Sequence, residues 1–124
     1  IQYSRYAITW DTNGDGIVNK GETVYLKVYL NNSGTSTAKG VSATMTTTSS
    51  YASSLSPTSS VSFGDISAGS ESPANYSTDP NFNYYSWRFT ASGSTPAGTS
   101  ITFNLAITDA QSNTSTKSFA ITVQ

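Results

Sequence analysis

Asp11, Asn13, Asp15, Asn19 and Glu22 place oxygen-bearing side chains at positions 1, 3, 5, 9 and 12 of the stretch Asp-Thr-Asn-Gly-Asp-Gly-Ile-Val-Asn-Lys-Gly-Glu. This spacing suits a hard cation. Calcium takes six to eight oxygens at about 2.3–2.6 Å, more than one or two side chains can supply. In a tightly coiled loop alternate residues converge. Asp11, Asn13 and Asp15 then point inward together, followed by the backbone carbonyl of Ile17. Gly16, sixth in the loop, allows the sharp turn. Asn19 reaches the ion directly or through a water, and Glu22 closes the shell with two oxygens. Every position the spacing demands is filled, so residues 11–22 read as a calcium loop. A polar Asn-Gly/Asp-Gly turn without a metal is the competing reading.

The elements that must position this loop are strands. In an EF-hand or a dockerin the loop runs into an amphipathic helix, with apolar residues three and four apart. Here Glu22 leads into Thr23–Leu30, where Val24, Leu26, Val28 and Leu30 form one face and Thr23, Tyr25, Lys27 and Tyr29 the other. Strict period two with β-branched and aromatic residues is a half-buried strand. Only one such loop occurs in the chain. The metal is therefore expected to pin a loop between two strands, not to drive a helix-opening switch.

The same grammar runs to the end of the chain. Residues 1–10 alternate well enough for a first strand and 23–31 form a second, closed by the turn cluster Asn31-Asn32-Ser33-Gly34. Gly40–Thr48 sets Val41, Ala43 and Met45 against Ser42, Thr44 and Thr46; 47–60 is polar, a long loop or a weak edge strand. Val61, Phe63 and Ile66 mark a short strand, and Asn83–Thr90 alternates Tyr85, Trp87 and Phe89 with Tyr84, Ser86 and Arg88. Ile101, Phe103, Leu105 and Ile107 face one way, and Phe119, Ile121 and Val123 follow a polar turn around 109–116. About seven short strands at regular turn spacing imply one all-β domain over 1–124. The expected form is an antiparallel sandwich of the immunoglobulin or fibronectin III kind, with a small barrel as competitor. Its expected core is Val24, Leu26, Val28, Val41, Met45, Phe63, Trp87, Phe89, Phe103, Leu105, Phe119 and Ile121.

Composition narrows the setting. Charged residues are 10% of the chain against the ~25% usual in soluble domains, and Ser and Thr make up about a third. A net charge of −1, with the six Lys and Arg scattered, leaves no footprint for nucleic acid or anionic lipid. No apolar run is long enough to cross a bilayer and no signal peptide is seen, so the chain is expected to be mature and soluble. Cysteine is absent. A loop with three carboxylates is expected to fill at millimolar extracellular calcium and to stand empty in the cytosol, which points to a secreted or cell-surface bacterial protein.

The string Asp-X-Asn-Gly-Asp-Gly-X-X-Asn-X-Gly-Glu, then an alternating strand, Asn31-Asn32-Ser33-Gly34 and Ala38-Lys39-Gly40-Val41-Ser42-Ala43-Thr44, resembles the CARDB-like modules, the cell adhesion related domain found in bacteria. Phe63–Gly69, Pro96-Ala97-Gly98 and Ile107-Thr108-Asp109 are similar to the same group, so the resemblance spans most of 8–123. The metal loop is its specific part, and residues 71–83 are longer and more aromatic than the corresponding connection. The resemblance implies a non-catalytic extracellular accessory module without one shared ligand.

Chemistry is poorly provided for. The chain has no histidine and no cysteine, the commonest general base and thiol nucleophile. Outside the loop only Asp65, Glu71, Asp79 and Asp109 carry carboxylates, all in apparent turns, with no visible pair of the kind a glycosidase needs. Binding is better supported. Tyr25 and Tyr29, on the face opposite Val24, Leu26 and Val28, would lie about 13–14 Å apart at ~3.4 Å per residue and offer stacking faces to sugar. Tyr84 with Arg88, and Tyr76 with Phe82, would extend that platform; packing under neighbouring loops is the alternative for these rings. Trp87 is expected in the core and Trp10 over the metal loop.

The expected function is non-catalytic adhesion or ligand binding within a larger protein, with polysaccharide or neighbouring protein domains as partners. Two alternatives are a carbohydrate-binding module of a secreted glycoside hydrolase or protease, and a subunit of an extracellular filament. In the filament, residues 1–10 would pair with a neighbour's sheet edge instead of their own.

Overall fold

Period-two segments become strands. The computed structural model describes all residues except 13, 15, 57, 59 and 74–86. Among the described residues there are nine strands and no helix: β1 (Gln2–Asp11), β2 (Thr23–Asn31), β3 (Ala38–Thr47), β4 (Ala52–Ser56), β5 (Val61–Ile66), β6 (Glu71–Pro73), β7 (Trp87–Ala91), β8 (Ser100–Thr108) and β9 (Thr114–Thr122). Two of them go beyond the alternation pattern. β4 emerges from the polar stretch 47–60 as a sheet edge. β6 is three residues long, too short to show a period, and exists because it pairs with Tyr29–Asn31 of β2. The strand expected over 83–90 is described only from Trp87.

The strands form two antiparallel sheets packed as a β-sandwich. One has the order β1-β2-β7-β4, the other β5-β3-β8-β9. β1 runs along one edge of β2, so β7 and β6 divide the other, at Thr23–Leu26 and Tyr29–Asn31. The order is that of the A-B-E-D and C-F-G strands of an immunoglobulin constant-type sandwich, with β5 added beside β3. β2 and β8 are therefore interior strands, and their inner faces are fully buried: Val24, Leu26, Val28 and Leu30 on β2, Ile101, Phe103, Leu105 and Ile107 on β8. All the core residues expected from sequence lie in one contiguous cluster, joined by Ile66, Ile107, Val123 and Val18 of the loop. Trp87 is wholly buried against Phe63, at 6.2 Å between ring centroids. Among the described residues its indole Nε1 has no hydrogen-bond partner, a cost of about 1–3 kcal/mol that burial of so large a ring offsets.

β1 departs from simple alternation in a way that shapes the site. Tyr3 faces Leu30, Arg5 faces Tyr29, Tyr6 faces Val28, Ile8 faces Leu26, Trp10 faces Tyr25 and Asp11 faces Val24. The register slips once between Tyr3 and Arg5 and again between Ile8 and Trp10. Each bulge inserts one residue, Ser4 and Thr9, and exchanges the faces of everything beyond it. Tyr3, Tyr6, Ile8 and Asp11 consequently share the core side, spaced three, two and three apart. Tyr3 lies flat on Phe119 of β9, at 4.8 Å and 3°. Phe119 in turn meets Phe103, and Phe103 meets Phe89, so an aromatic chain ties both sheets together.

The outward face of the second sheet takes much of the hydroxyl excess. Ser42, Thr108 and Thr114 stand in one cross-strand row, Thr44, Ala106 and Thr116 in the next, and Thr46, Asn104 and Ser118 in a third. Ser42–Thr108 and Ser100–Thr122 hydroxyl contacts of 3.2 and 3.3 Å link neighbouring strands across it.

Truncating Leu105 to Ala should cost about 2–5 kcal/mol in urea unfolding, through lost burial and the cavity left behind; a change under about 1 kcal/mol would place Leu105 outside the core. A second expectation concerns alkali. Burial first, and the neighbouring Tyr6 second, raise the Tyr3 phenol from 10.0 to about 12. The unfolded chain then releases this proton before the folded one does. The contribution of Tyr3 is whole below pH 10.0 and is lost as pH rises toward about 12. Tyr3→Phe should lose less stability than the parent between those pH values, and equal losses would remove Tyr3 from the titration.

Candidate metal centre

The loop 12–22 is the connection of the β1–β2 hairpin, and its two mouths are fixed by the ladder. Residues directly opposite in an antiparallel pair share a face. Asp11 opposes Val24, whose side chain is wholly buried, so the Asp11 carboxylate lies on the core side at the end of the sheet and is only 1% exposed. Glu22 precedes Val24 by two residues and takes the same side, 6% exposed. The Thr9 bulge decides this outcome. Without it Asp11 would face outward, opposite Thr23.

The loop is tied down on three sides. Gly21 N–H donates to the Ala91 carbonyl, and Ala91 N–H donates to the Glu22 carbonyl, both at 2.8 Å, which holds Glu22 in line with β2 beside β7. Gln124 N–H donates to the Val18 carbonyl at 2.8 Å, and the Val18 side chain is buried in the core. At the mouth, Thr23 N–H donates to the Thr12 hydroxyl at 3.0 Å. Within the loop, Asn19 and Glu22 form a reciprocal pair: Asn19 N–H donates to Glu22 Oε2 at 3.0 Å and Glu22 N–H to the Asn19 carbonyl at 3.3 Å. Gly16 has φ +73°, the left-handed turn that its position requires and that a side chain would strain. Ile17 has its side chain in solvent, 47% exposed, as expected of a residue that would contribute only its carbonyl.

Asp11, Ile17, Asn19 and Glu22 thus belong to one anchored loop, whereas Asn13 and Asp15 lie outside the described residues. Among the described residues no group of three or more histidine, cysteine or acidic side chains that could hold a metal is assembled. Val18 is the buried anchor of the loop that sequence reasoning passed over. Its signal was an apolar residue at the eighth position of a mostly polar loop, beside Ile17, whose side chain is exposed. Trp10 stands where expected, lining with Asp11, Gly14 and Gly16 a cleft of about 190 Å³ beside the loop.

The tyrosine platform fares differently. Tyr25 is on the outward face, yet only 7% exposed. Trp10 meets it edge-on at 5.2 Å, and the Arg88 guanidinium lies 6.0 Å from its centroid, with Nη1 at 3.5 Å from the phenol oxygen. Tyr29 is half-buried, and Arg5 sits over its ring at 3.8 Å from the centroid. A ring lying on a sheet has one outward face, and here a guanidinium occupies it. Arg5 is itself held by Glu71, through Nη2 at 3.0 Å and Nε at 3.2 Å, while Ser4 donates to the other Glu71 oxygen at 2.6 Å. The Ser4 and Arg5 hydrogen bonds keep the Glu71 carboxyl below its ordinary range. The two tyrosines are therefore covered, and Arg88 serves Tyr25. Tyr76, Phe82 and Tyr84 lie outside the described residues.

The remaining carboxylates have structural partners. Asp65 accepts from Gly40 N–H and pairs with Lys39 at 3.3 Å, and both interactions lower its pKa. Asp109 closes the β8–β9 turn by accepting from the Asn113 side chain and from the Gln111 and Asn113 amides, which likewise lowers its pKa. Asp79 lies outside the described residues. No protein-family model matches the chain, and a search of curated proteins finds no match either.

Tyr25→Ala should cost about 3 kcal/mol or more, as truncation of a buried ring does, whereas Tyr29→Ala should cost under about 1 kcal/mol, the scale of an exposed cation–π contact. Equal, small losses in thermal unfolding would return Tyr25 to the accessible surface.

Proposed function

We propose that this chain is a non-catalytic extracellular module, held in shape by one calcium ion, that contributes adhesion or ligand binding to a larger secreted or cell-surface bacterial protein. The observation that carries the reading is the placement of two carboxylates, Asp11 and Glu22, on the buried side of one sheet end. Carboxylates taken out of water are costly unless a cation or other partner lies with them. Asp11, Asn13, Asp15, the Ile17 carbonyl, Asn19 and Glu22 would hold the ion. Bound, it supplies charge neutralisation and a cross-link between the two mouths of the hairpin. Three carboxylates suit a site filled at extracellular calcium.

The engagement of Asp65, Glu71 and Asp109 in turns and ion pairs supports a non-catalytic role. So does the resemblance of the loop and its flanks to bacterial adhesion modules. The hydroxyl rows on β3, β8 and β9 suit a neutral, hydrogen-bonding partner, a polysaccharide or a neighbouring domain, better than the covered tyrosines do. The filament reading has one observation in its favour, the position of β1 at a sheet edge, joined to the rest of the chain through the metal loop.

Calcium at one hundred times its dissociation constant should stabilise the fold by about 2.7 kcal/mol by mass action. Asp15→Ala or Glu22→Ala should remove most of that gain and leave the β-sheet circular dichroism intact. A melting temperature unchanged between excess calcium and excess chelator would sink the reading.

A further inference from the structure

We infer that β1 is an exchangeable strand: with the loop emptied of calcium, it leaves its own β2 and takes the same place on β2 of a second copy of this chain. The inference rests on the calcium reading above and adds to it a partner and a surface.

The outer edges of both sheets resist strand addition. β1 carries two bulges, and β4 is broken at Ser54, with φ 55° and a register shift. The β3–β5 ladder slips twice. β9 pairs regularly along its whole length but turns Lys117 inward, opposite Leu105. Bulges and inward charges are the devices that keep edges from pairing with other chains. Exchange at the β1–β2 seam meets none of these obstacles, because it recreates a pairing the fold already contains.

That seam is unequal. On the β2 side Val24, Leu26, Val28 and Leu30 are wholly buried; on the β1 side Tyr3, Tyr6 and Ile8 are only partly so. Departure of β1 would uncover the edge of β2 and Phe119, on which Tyr3 is stacked. The segment that fits the gap must present inner residues spaced three, two and three apart, and β1 of another copy does so by identity. The hinge is the metal loop. Asp11 and Glu22 are buried at the two ends of this loop, so in an empty loop their like charges would oppose each other across its mouth, and a bound cation would draw them together. Opened, residues 12–22 span up to about 36 Å at ~3.3 Å per residue, enough to reach a neighbouring molecule. Reciprocal exchange gives a closed dimer, and head-to-tail exchange an open chain.

Ala7 and Lys27 face each other across the seam, and the chain has no cysteine, so introduced thiols report the pairing directly. In calcium, Ala7→Cys with Lys27→Cys in one chain should close an intrachain disulfide; its failure would overturn the register that the proposal needs. Next, the two single variants are mixed at high concentration in chelator, returned to calcium and oxidised. The disulfide-linked heterodimer of the two variants should change from undetectable, in a mixture kept in calcium, to the main product. Asp11→Asn with Glu22→Gln added to both partners should hold the mixture monomeric in chelator. Absence of heterodimer, in a protein whose melting temperature does respond to calcium, overturns strand exchange and leaves the calcium reading standing. Heterodimer formed equally with and without calcium, in a protein whose melting temperature ignores the ion, instead overturns the calcium reading and the gating with it. Exchange undiminished by the two neutral substitutions overturns charge repulsion as the trigger.

Discussion

The ladder between β1 and β2 is the constraint on which the rest of the molecule depends. β2 is an interior strand with a wholly buried face, and β1 can cover its edge only by presenting apolar residues inward at every step. The sequence of β1 does not alternate well enough to do so. The first bulge restores the match by bringing Tyr3 opposite Leu30, and the second turns Asp11 toward the core in place of Trp10. One bulge thus serves packing along the strand, and the other places a carboxylate at the mouth of the loop.

The loop is not an appendage to this scaffold. Val18 is part of the core, Gly21 and Glu22 extend the ladder between β2 and β7, and Gln124 bonds to the Val18 carbonyl. Disturbance of the loop is therefore felt at β1, at β7 and beyond the end of β9. The cation proposed for this place would act on stability and on strand pairing, because Asp11 ends β1 and Glu22 adjoins the start of β2.

The two outward faces have different chemistry. The β1 sheet carries Arg5, Tyr29, Tyr25, Arg88 and Trp10, and these are used up on one another by stacking, cation–π contact and the Arg5–Glu71 pair. The β3 sheet presents short hydroxyl side chains in cross-strand rows. Low charge is tolerable on such a surface because Ser and Thr satisfy water without competing for long-range partners, and their β-branched or compact form suits a pleated face.

Much of this was legible in sequence. Period-two runs such as Thr23–Leu30 and Ile101–Ile107 announce interior strands, because burial of one face is a local property of alternation. The oxygen spacing of 11–22, on which the proposed calcium loop rests, is a local signal of the same kind, because ligand geometry in a short coil depends on near neighbours alone. The Asx turn at Asp109 is local for the same reason. What sequence could not reveal depends on partners far away along the chain. β6 exists only through its pairing with β2, and the bulges at Ser4 and Thr9 answer to residues of the opposite strand. Tyr25 and Tyr29 were rightly assigned to the outward face. Their covering by Trp10, Arg88 and Arg5 was decided by which strands lie beside β2, because a ring's exposure is a property of its neighbours in space and not of its position in a pattern.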